Sequence, residues 1–284
     1  MSAANEVVIE EVSERRSLSF RALEPLVQEL ADVWKYRYVV YSFVYTNVKI
    51  RYRRSYLGFL WTILAPLLHY AVIGVMMSML LKNRMENFYA YYFSGAVFFS
   101  VINGVVGRAP FVMIQNEHFI KKIYLPKIIF LLNVVCYELT NFVLSSTALI
   151  GIGILSGAFH FHLTIPLAFL ALVFLALFLL GVSSILSVVA VYFRDFTYIT
   201  PVLLQAAFFV TPIAFNAEML PEKARWLIWW NPLYYFLEMF RLPLVYGEVP
   251  AAKFYLVAGG LSLSMLMIGL LVLKKFDNRI VFKL

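Results

Sequence analysis

The sequence is 284 residues long, 62% hydrophobic and only 14% charged, with a mean hydropathy of +0.81. A soluble domain carries about 25% charged residues; so little charge cannot cover a water-facing surface of this size, which excludes a soluble protein and makes the bilayer part of the solvent. The net charge of +8 comes from bases set beside apolar runs, as membrane topology requires, rather than from a nucleic-acid stripe, and a lone cysteine, Cys136, excludes an intrachain disulfide.

Residues 1–24 are polar, with Glu6, Glu10, Glu11 and Glu14 and no early apolar core, and read as a polar lead rather than a cleavable signal peptide. Residues 25–56 combine Trp34, Tyr36, Tyr38, Tyr41 and Tyr45 with Lys49, Arg51, Arg53 and Arg54. Aromatic and basic residues together predict an amphipathic helix in the interface plane, since such a basic cluster is costly at bilayer depth. An N-terminal extension of the next membrane helix is the alternative. Residues 57–284 read as an all-α membrane domain with six transmembrane helices, at about 59–81, 89–111, 128–156, 165–191, 199–216 and 254–273, each near the roughly 20 residues a bilayer needs.

With the N-terminus inside, the cytosolic segments hold 17 of the 24 Lys and Arg and the outer segments six, Arg108 lying within span two. This asymmetry predicts both termini in the cytoplasm. Between spans five and six, Pro221, Pro232, Pro243 and Pro250 divide the chain into runs too short to cross. Short re-entrant or interfacial helices are predicted at about 217–247, with Trp226, Trp229 and Trp230 as anchors; such backbone is tolerated at depth only where packed in protein or lining a cavity.

The chain has no G-x-x-x-x-G-K-[ST] loop for ATP, and no Ser-His-Asp or paired-carboxylate pattern placed for catalysis. His160 and His162 stand in an outer turn without a Cys or carboxylate beside them, so they read as a polar turn, and no metal site or enzyme activity is predicted. Glu138 falls near the middle of span three, with Asn141 one helical turn on. It is read either as a hydrogen-bonded contact to a neighbouring helix or as part of a pathway, with Arg108 a candidate partner. Gly153 and Gly157 form a G-x-x-x-G packing step. Arg51, Arg53 and Arg54 fit two roles equally: a phosphate clamp, since guanidinium matches phosphate bidentately, or positive-inside anchoring.

The segments RYRRSYLGFLWTILAPL (51–67), VYFRDFTYITPVLLQAAFFVTPIAFNAEMLP (191–221) and NPLYYFLEMFRLPLVYG (231–247) resemble the permeases of type-2 ABC exporters, with the O-antigen (Wzm-type) branch nearest and capsule and teichoic-acid exporters related. The resemblance runs over nearly the whole chain. It implies a second copy of the chain and two nucleotide-binding ATPase subunits, which would hold the ATP and Mg that this chain lacks. The 113–125 loop, with Gln115, Asn116, Glu117, His118, Lys121 and Lys122, would be the main ATPase-coupling element, and Arg194 and Asp195 a smaller one. Asn231, Pro232, Tyr234, Tyr235, Glu238 and Arg241 would belong to periplasmic gate helices. The substrate would be a polysaccharide on undecaprenyl diphosphate, recognised through Arg51, Arg53 and Arg54, moving from the inner membrane's cytosolic face through a channel lined by spans one, two and five. Trp61, Tyr91, Tyr92, Phe98, Phe208 and Phe209 are the aromatic candidates for its wall. A small-molecule exporter on the same scaffold, and an ion-coupled transporter using Glu138, are the rival readings.

Overall fold

The computed structural model describes residues 31–284 except 52, 54, 62–63, 66–67, 69–71, 74, 77–78, 80–87, 124, 156–161 and 217–218. Among the described residues the secondary structure is helical throughout. In chain order the main helices are α1 (Arg37–Arg51), α2 (Phe88–Arg108), α3 (Glu117–Lys122), α4 (Ile128–Leu155), α5 (Ile165–Tyr192), α6 (Phe196–Val210), α7 (Pro232–Arg241) and α8 (Ala252–Lys283).

Four stretches are long and apolar enough to cross a membrane: 90–115, 128–147, 165–192 and 252–283. They coincide with predicted spans two, three, four and six. The polar lead and much of span one lie outside the described residues. Span five differs. The apolar run predicts 199–216, but α6 has 15 residues and ends at Val210, about 22 Å of helix at 1.5 Å per residue. Pro212 is the cause. The residue before a proline is pushed out of the helical region, and Thr211 is extended at φ −84°, ψ 133°. The helix therefore stops in the bundle, and Thr211, Pro212 and Ile213 continue as buried irregular backbone. The sixth helix errs the other way, continuing past residue 273 through the basic stretch to Lys283.

Helix α5 is the spine. Its inward positions include Ala168, Ala171, Leu175, Leu179, Gly181, Ser183, Ser184 and Ser187, all buried. The three serines return their hydroxyls to α5's own carbonyls, Ser183 and Ser184 to Leu180 and Ser187 to Ser184. They are thus narrow, satisfied residues rather than polar liabilities. Small side chains let α8 come close. A Cβ on Gly181 would overlap the Met265 carbonyl, and one on Gly269 would overlap the Gly181 backbone. Ser262 of α8 completes the seam by donating to Phe174 O at 2.7 Å. The G-x-x-x-G step at 153–157 falls partly outside the described residues; the close approach the structure displays is this one, between two distant helices.

A second tie joins the start of α4 to the end of α8. Lys127, buried, pairs with Asp277 at 2.5 Å. An aromatic triad gathers α1, α3 and α4: Phe43 lies 5.9 Å from Phe119 and 6.1 Å from Phe130, centroid to centroid, and Phe119 lies 6.3 Å from Phe130.

Enlarging the α5–α8 crossing should therefore be costly. Gly181→Val is expected to lower thermal stability in detergent by about 1–3 kcal/mol or more, the usual cost of overpacking. Gly260→Val, whose Cβ position meets nothing within 4 Å, should leave the melting temperature unchanged.

Candidate functional site

The sequence-derived candidates fall into three places. The first is centred on a buried charge at one end of the bundle. Arg241, the last residue of α7, is fully buried. Its Nη1 donates to Glu238 Oε1 at 2.8 Å and its Nη2 to Pro212 O at 2.9 Å, and the guanidinium lies 3.7 Å from the centroid of the Tyr91 ring. The Tyr91 hydroxyl stands 2.9 Å from Phe215 O and 3.1 Å from Pro212 O, sharing one proton between them. A Cβ on Gly95 would meet Arg241 Nη2 at 2.6 Å, so glycine is what admits the guanidinium. One cation thus binds α7, α2 and the broken backbone after α6, and it occupies the Pro212 carbonyl that the end of α6 leaves free of a helical partner.

Asn231 begins α7. Its Oδ1 accepts from Leu233 N at 3.0 Å and its Nδ2 donates to Thr211 Oγ1 at 2.9 Å, and Pro232 fills the first turn, where no N–H is needed. Tyr234 and Tyr235 pack edge-on to each other and onto Phe254 of α8; Tyr235 also donates to Trp229 O at 3.0 Å. All six predicted gate residues therefore sit on one short helix and its cap.

The second place is α3. It follows the turn at Asn116, whose Nδ2 bonds back to Val112 O at 2.8 Å. Glu117 opens α3 and Lys121 and Lys122 end it, the arrangement that complements a helix dipole. Glu117 and Lys121 pair at 2.6 Å. The hydrogen bond from Lys121 holds the Glu117 carboxyl below the usual carboxylate range, aided by the Lys121 charge and then by His118 and Arg194. The lowered value means the pair is intact at neutral pH and is lost as pH falls through the carboxylate range. Arg194 and Asp195 are exposed in the α5–α6 turn. Gln115, His118, Lys121 and Lys122 are exposed, while Ile120 and the aromatic triad hold α3 down. Its charged face is thus left free.

The third place is a cleft of about 630 Å³ between α1, the end of α2, the turn before α3 and the start of α4. Arg51 and Arg108 both line it. Arg51 Nη1 donates to the Tyr137 hydroxyl at 3.3 Å, and the Arg108 guanidinium lies 4.8 Å from the centroid of the Tyr137 ring. Behind Arg108 stands Glu138, whose Oε1 is 2.9 Å from Arg108 Nε. The N–H is not aligned on that oxygen, which therefore has no hydrogen-bond donor; the contact is an ion pair only. Asn141 Nδ2 donates to Glu138 Oε2 at 3.1 Å. A Cβ on Gly104 would meet this carboxyl at 2.5 Å, so Gly104 of α2 leaves the space Glu138 fills. Arg53 is exposed in the turn after α1, and Arg54 lies outside the described residues.

The aromatic candidates divide. Tyr91 and Phe98, assigned by sequence to a channel wall, are turned into the bundle, Tyr91 against Arg241 and Phe98 against Phe240 at 5.1 Å. The cause is that α2 from Phe88 to Phe99 is aromatic or apolar on every side apart from buried Ser94, so sequence offers no face to choose there. Phe208 and Phe209 border a groove of about 590 Å³ between α2 and α6, with Ile73 of the first predicted span at its edge and Ser100, Asn103 and Gln205 adding polar atoms; Tyr92 stands at its floor but is as buried as Phe98 and stacks on Phe88. Trp61 is exposed.

Sequence reasoning missed Tyr137, Gly104 and Gly95 and the role of Pro212. A Gly one turn from an intramembrane base was the available signal for one of them: Gly104 precedes Arg108 by four residues.

Breaking the Arg241 cluster should be costly. Arg241→Ala is expected to destabilise the protein by about 3–5 kcal/mol, the penalty for stripping one partner from a buried pair, read as a lower melting temperature in detergent. The double change Arg241→Met with Glu238→Leu should recover a good part of the loss, because it leaves no orphaned charge.

The sequence profile described as "ABC-2 type transporter" matches residues 38–245. The chain is 27% identical over 243 residues to the O-antigen export system permease protein RfbA of Myxococcus xanthus, covering 85% of this chain and 93% of that one. It is also 27% identical over 190 residues to the protein of the same name from Klebsiella pneumoniae, covering 66% of this chain and 72% of the relative.

Proposed function

The chain belongs to the ABC-2 type transporter family, and on that premise we propose that it is the permease subunit of an ATP-driven exporter of lipid-linked O-antigen. The observation that carries the reading is the run of similarity to O-antigen export permeases over most of both chains. The substrate is a polysaccharide on undecaprenyl diphosphate, and the location the inner membrane with both termini in the cytoplasm. Six spans are completed by the first predicted helix and by α6.

The parts support this division of labour. The chain carries no nucleotide loop, so ATP and Mg belong on two separate ATPase subunits. The free charged face of α3, together with the exposed Arg194–Asp195 turn, is the surface that meets them. A push on α3 passes through Phe119 to α1 and α4, which carry the aromatic triad. At the opposite end, α7 and its Arg241 cluster form the gate. Two copies of the chain would set their α2–α6 grooves around one channel, where the exposed ring of Phe209 and the partly exposed ring of Phe208 give sugar rings a surface that tolerates many orientations. Arg51 and Arg53, with Arg54, supply positive charge for the diphosphate at the entrance.

Deleting the gene should remove O-antigen from the cell surface and leave lipid-linked polymer inside; normal surface O-antigen in the deletion strain would refute the reading. The purified chain should hydrolyse no ATP until an ATPase subunit is added. Reversing both charges in Lys121→Glu with Lys122→Glu should weaken ATPase binding and export while the protein still inserts. Undiminished export by that variant would remove α3 from the coupling role.

A further inference from the structure

We propose that the cleft between α1, α2 and α4 is a binding site for a phosphate-bearing head group, in which Arg108 exchanges the Glu138 carboxylate for the phosphate. The identity of the ligand as the lipid carrier rests on the transport reading above; the site itself rests on the cleft. Its polar lining is two guanidinium groups, of Arg51 and Arg108, four amides and the hydroxyls of Thr46 and Tyr137, with no carboxylate among the described residues. That is a donor-rich, cationic surface, the chemistry that recognises phosphate oxygens.

The two arginines come from helices far apart in sequence, and one residue sets both. Tyr137 is 3% exposed; its hydroxyl accepts from Arg51 while its ring lies beneath Arg108. The cleft also lies where an amphiphile could enter, between α1, whose residues are mostly exposed, Tyr38, Tyr41, Tyr45, Arg37, Lys49 and Arg51 among them, and α4, which is long and apolar enough to cross a membrane. A head group held there would leave its tail beside an apolar helix.

Glu138 has the properties of a place-holder. It is 8% exposed and cannot be solvated, so it needs a cation nearby. Yet the Arg108 N–H is not aligned on it, and the Arg108 side chain remains 52% exposed. The pairing neutralises Arg108 at rest without tying up the rest of its guanidinium, whose donors stay available to the cleft. A phosphate bearing one or two charges, free to align on those donors, competes well against one misaligned carboxylate oxygen. Glu138 keeps the Asn141 hydrogen bond on its other oxygen, and Arg108 Nε, 2.9 Å away, stays near enough that its charge is shared between carboxylate and phosphate, so the buried acid is not left without a cation. This makes Arg108 a ligand-binding residue and Glu138 and Tyr137 positioning residues.

The test is native mass spectrometry of the full chain in detergent, with undecaprenyl diphosphate, phosphatidylglycerol and inorganic pyrophosphate as separate probes. Arg108→Gln should weaken lipid binding by about tenfold or more, the worth of one charge-assisted contact. Glu138→Gln should do the opposite and tighten it several-fold, since it removes the competing carboxylate. Opposite signs cannot come from a general loss of folding. Parallel weakening by both variants, or no change in either, overturns the proposal. Displacement of bound lipid by pyrophosphate supports recognition of the head group; lipid that pyrophosphate cannot displace counts against it. Arg108-dependent binding of phosphatidylglycerol as strong as that of undecaprenyl diphosphate keeps the site and makes membrane phospholipid its occupant. Arg108-independent binding in a protein whose deletion abolishes surface O-antigen overturns the cleft alone. Arg108-dependent binding in a protein whose deletion leaves O-antigen normal overturns the transport reading alone.

Discussion

A helix in lipid has no reason to leave hydrocarbon for another helix unless the two fit more closely than lipid tails would, because the hydrophobic effect is already satisfied. The crossing of α5 on α8 meets that demand by removing side chains. Gly181 and Gly269 place backbone against backbone, and Ser262 adds a hydrogen bond from one helix to a carbonyl of the other. The other tertiary contacts hang on this pair. α7 packs on α5 and α8, α4 is tied to α8 through Lys127 and Asp277, and the buried α2 face is covered from these helices.

On that frame the charges sit at the two ends of α2, and they differ in kind. Arg241 is sealed: fully buried, with Glu238, a carbonyl and an aromatic face around it. Such a group is strongly destabilising when one partner is removed, so it fixes a single arrangement of the α6 end and α7. Arg108 is the opposite, half-exposed and loosely matched to its carboxylate. A charge held this way is available for exchange. One end of α2 is thus built to hold a shape, and the other leaves a cation open to a further partner.

The span positions were legible from sequence because run length is a direct reading of bilayer thickness, and spans two, three, four and six match within a few residues except at the end of α8. The short α6 was legible in principle: Pro212 follows Thr211, and a proline dictates the conformation of its predecessor. Apolar character continued to Phe215 and masked that stop. Faces were not legible. From Phe88 to Phe99, α2 is aromatic and apolar on all sides apart from Ser94, which is itself buried, so polarity marks no outside there; the exposed polar residues Ser100, Asn103 and Arg108 come only in its later turns. Hence Phe98 was placed in a channel wall and is found inside. The Arg108–Glu138 partnership was anticipated because an intramembrane acid demands a cation, and few were in reach.

The arginine cluster shows where residue spacing and geometry part. In sequence, Arg51, Arg53 and Arg54 form the densest basic group and invite a single role. In an α1 that ends at Arg51, positions 51 and 53 leave the helix in different directions. Arg51 turns to Tyr137 and the cleft, while Arg53 is exposed in the following turn. Neighbours in sequence at a helix end are not neighbours in function. The partner of Arg51 comes from 57 residues further on, brought alongside only because α1 lies against α4 and α4 against α2. A bidentate phosphate site needs donors converging from different elements, so that their angle is set by packing rather than by one flexible turn. The cleft has that property and the linear cluster does not. The anchoring and recognition readings of these bases are therefore divided by position: Arg53 has the exposure that an interface anchor needs, and Arg51 has the convergence that recognition needs.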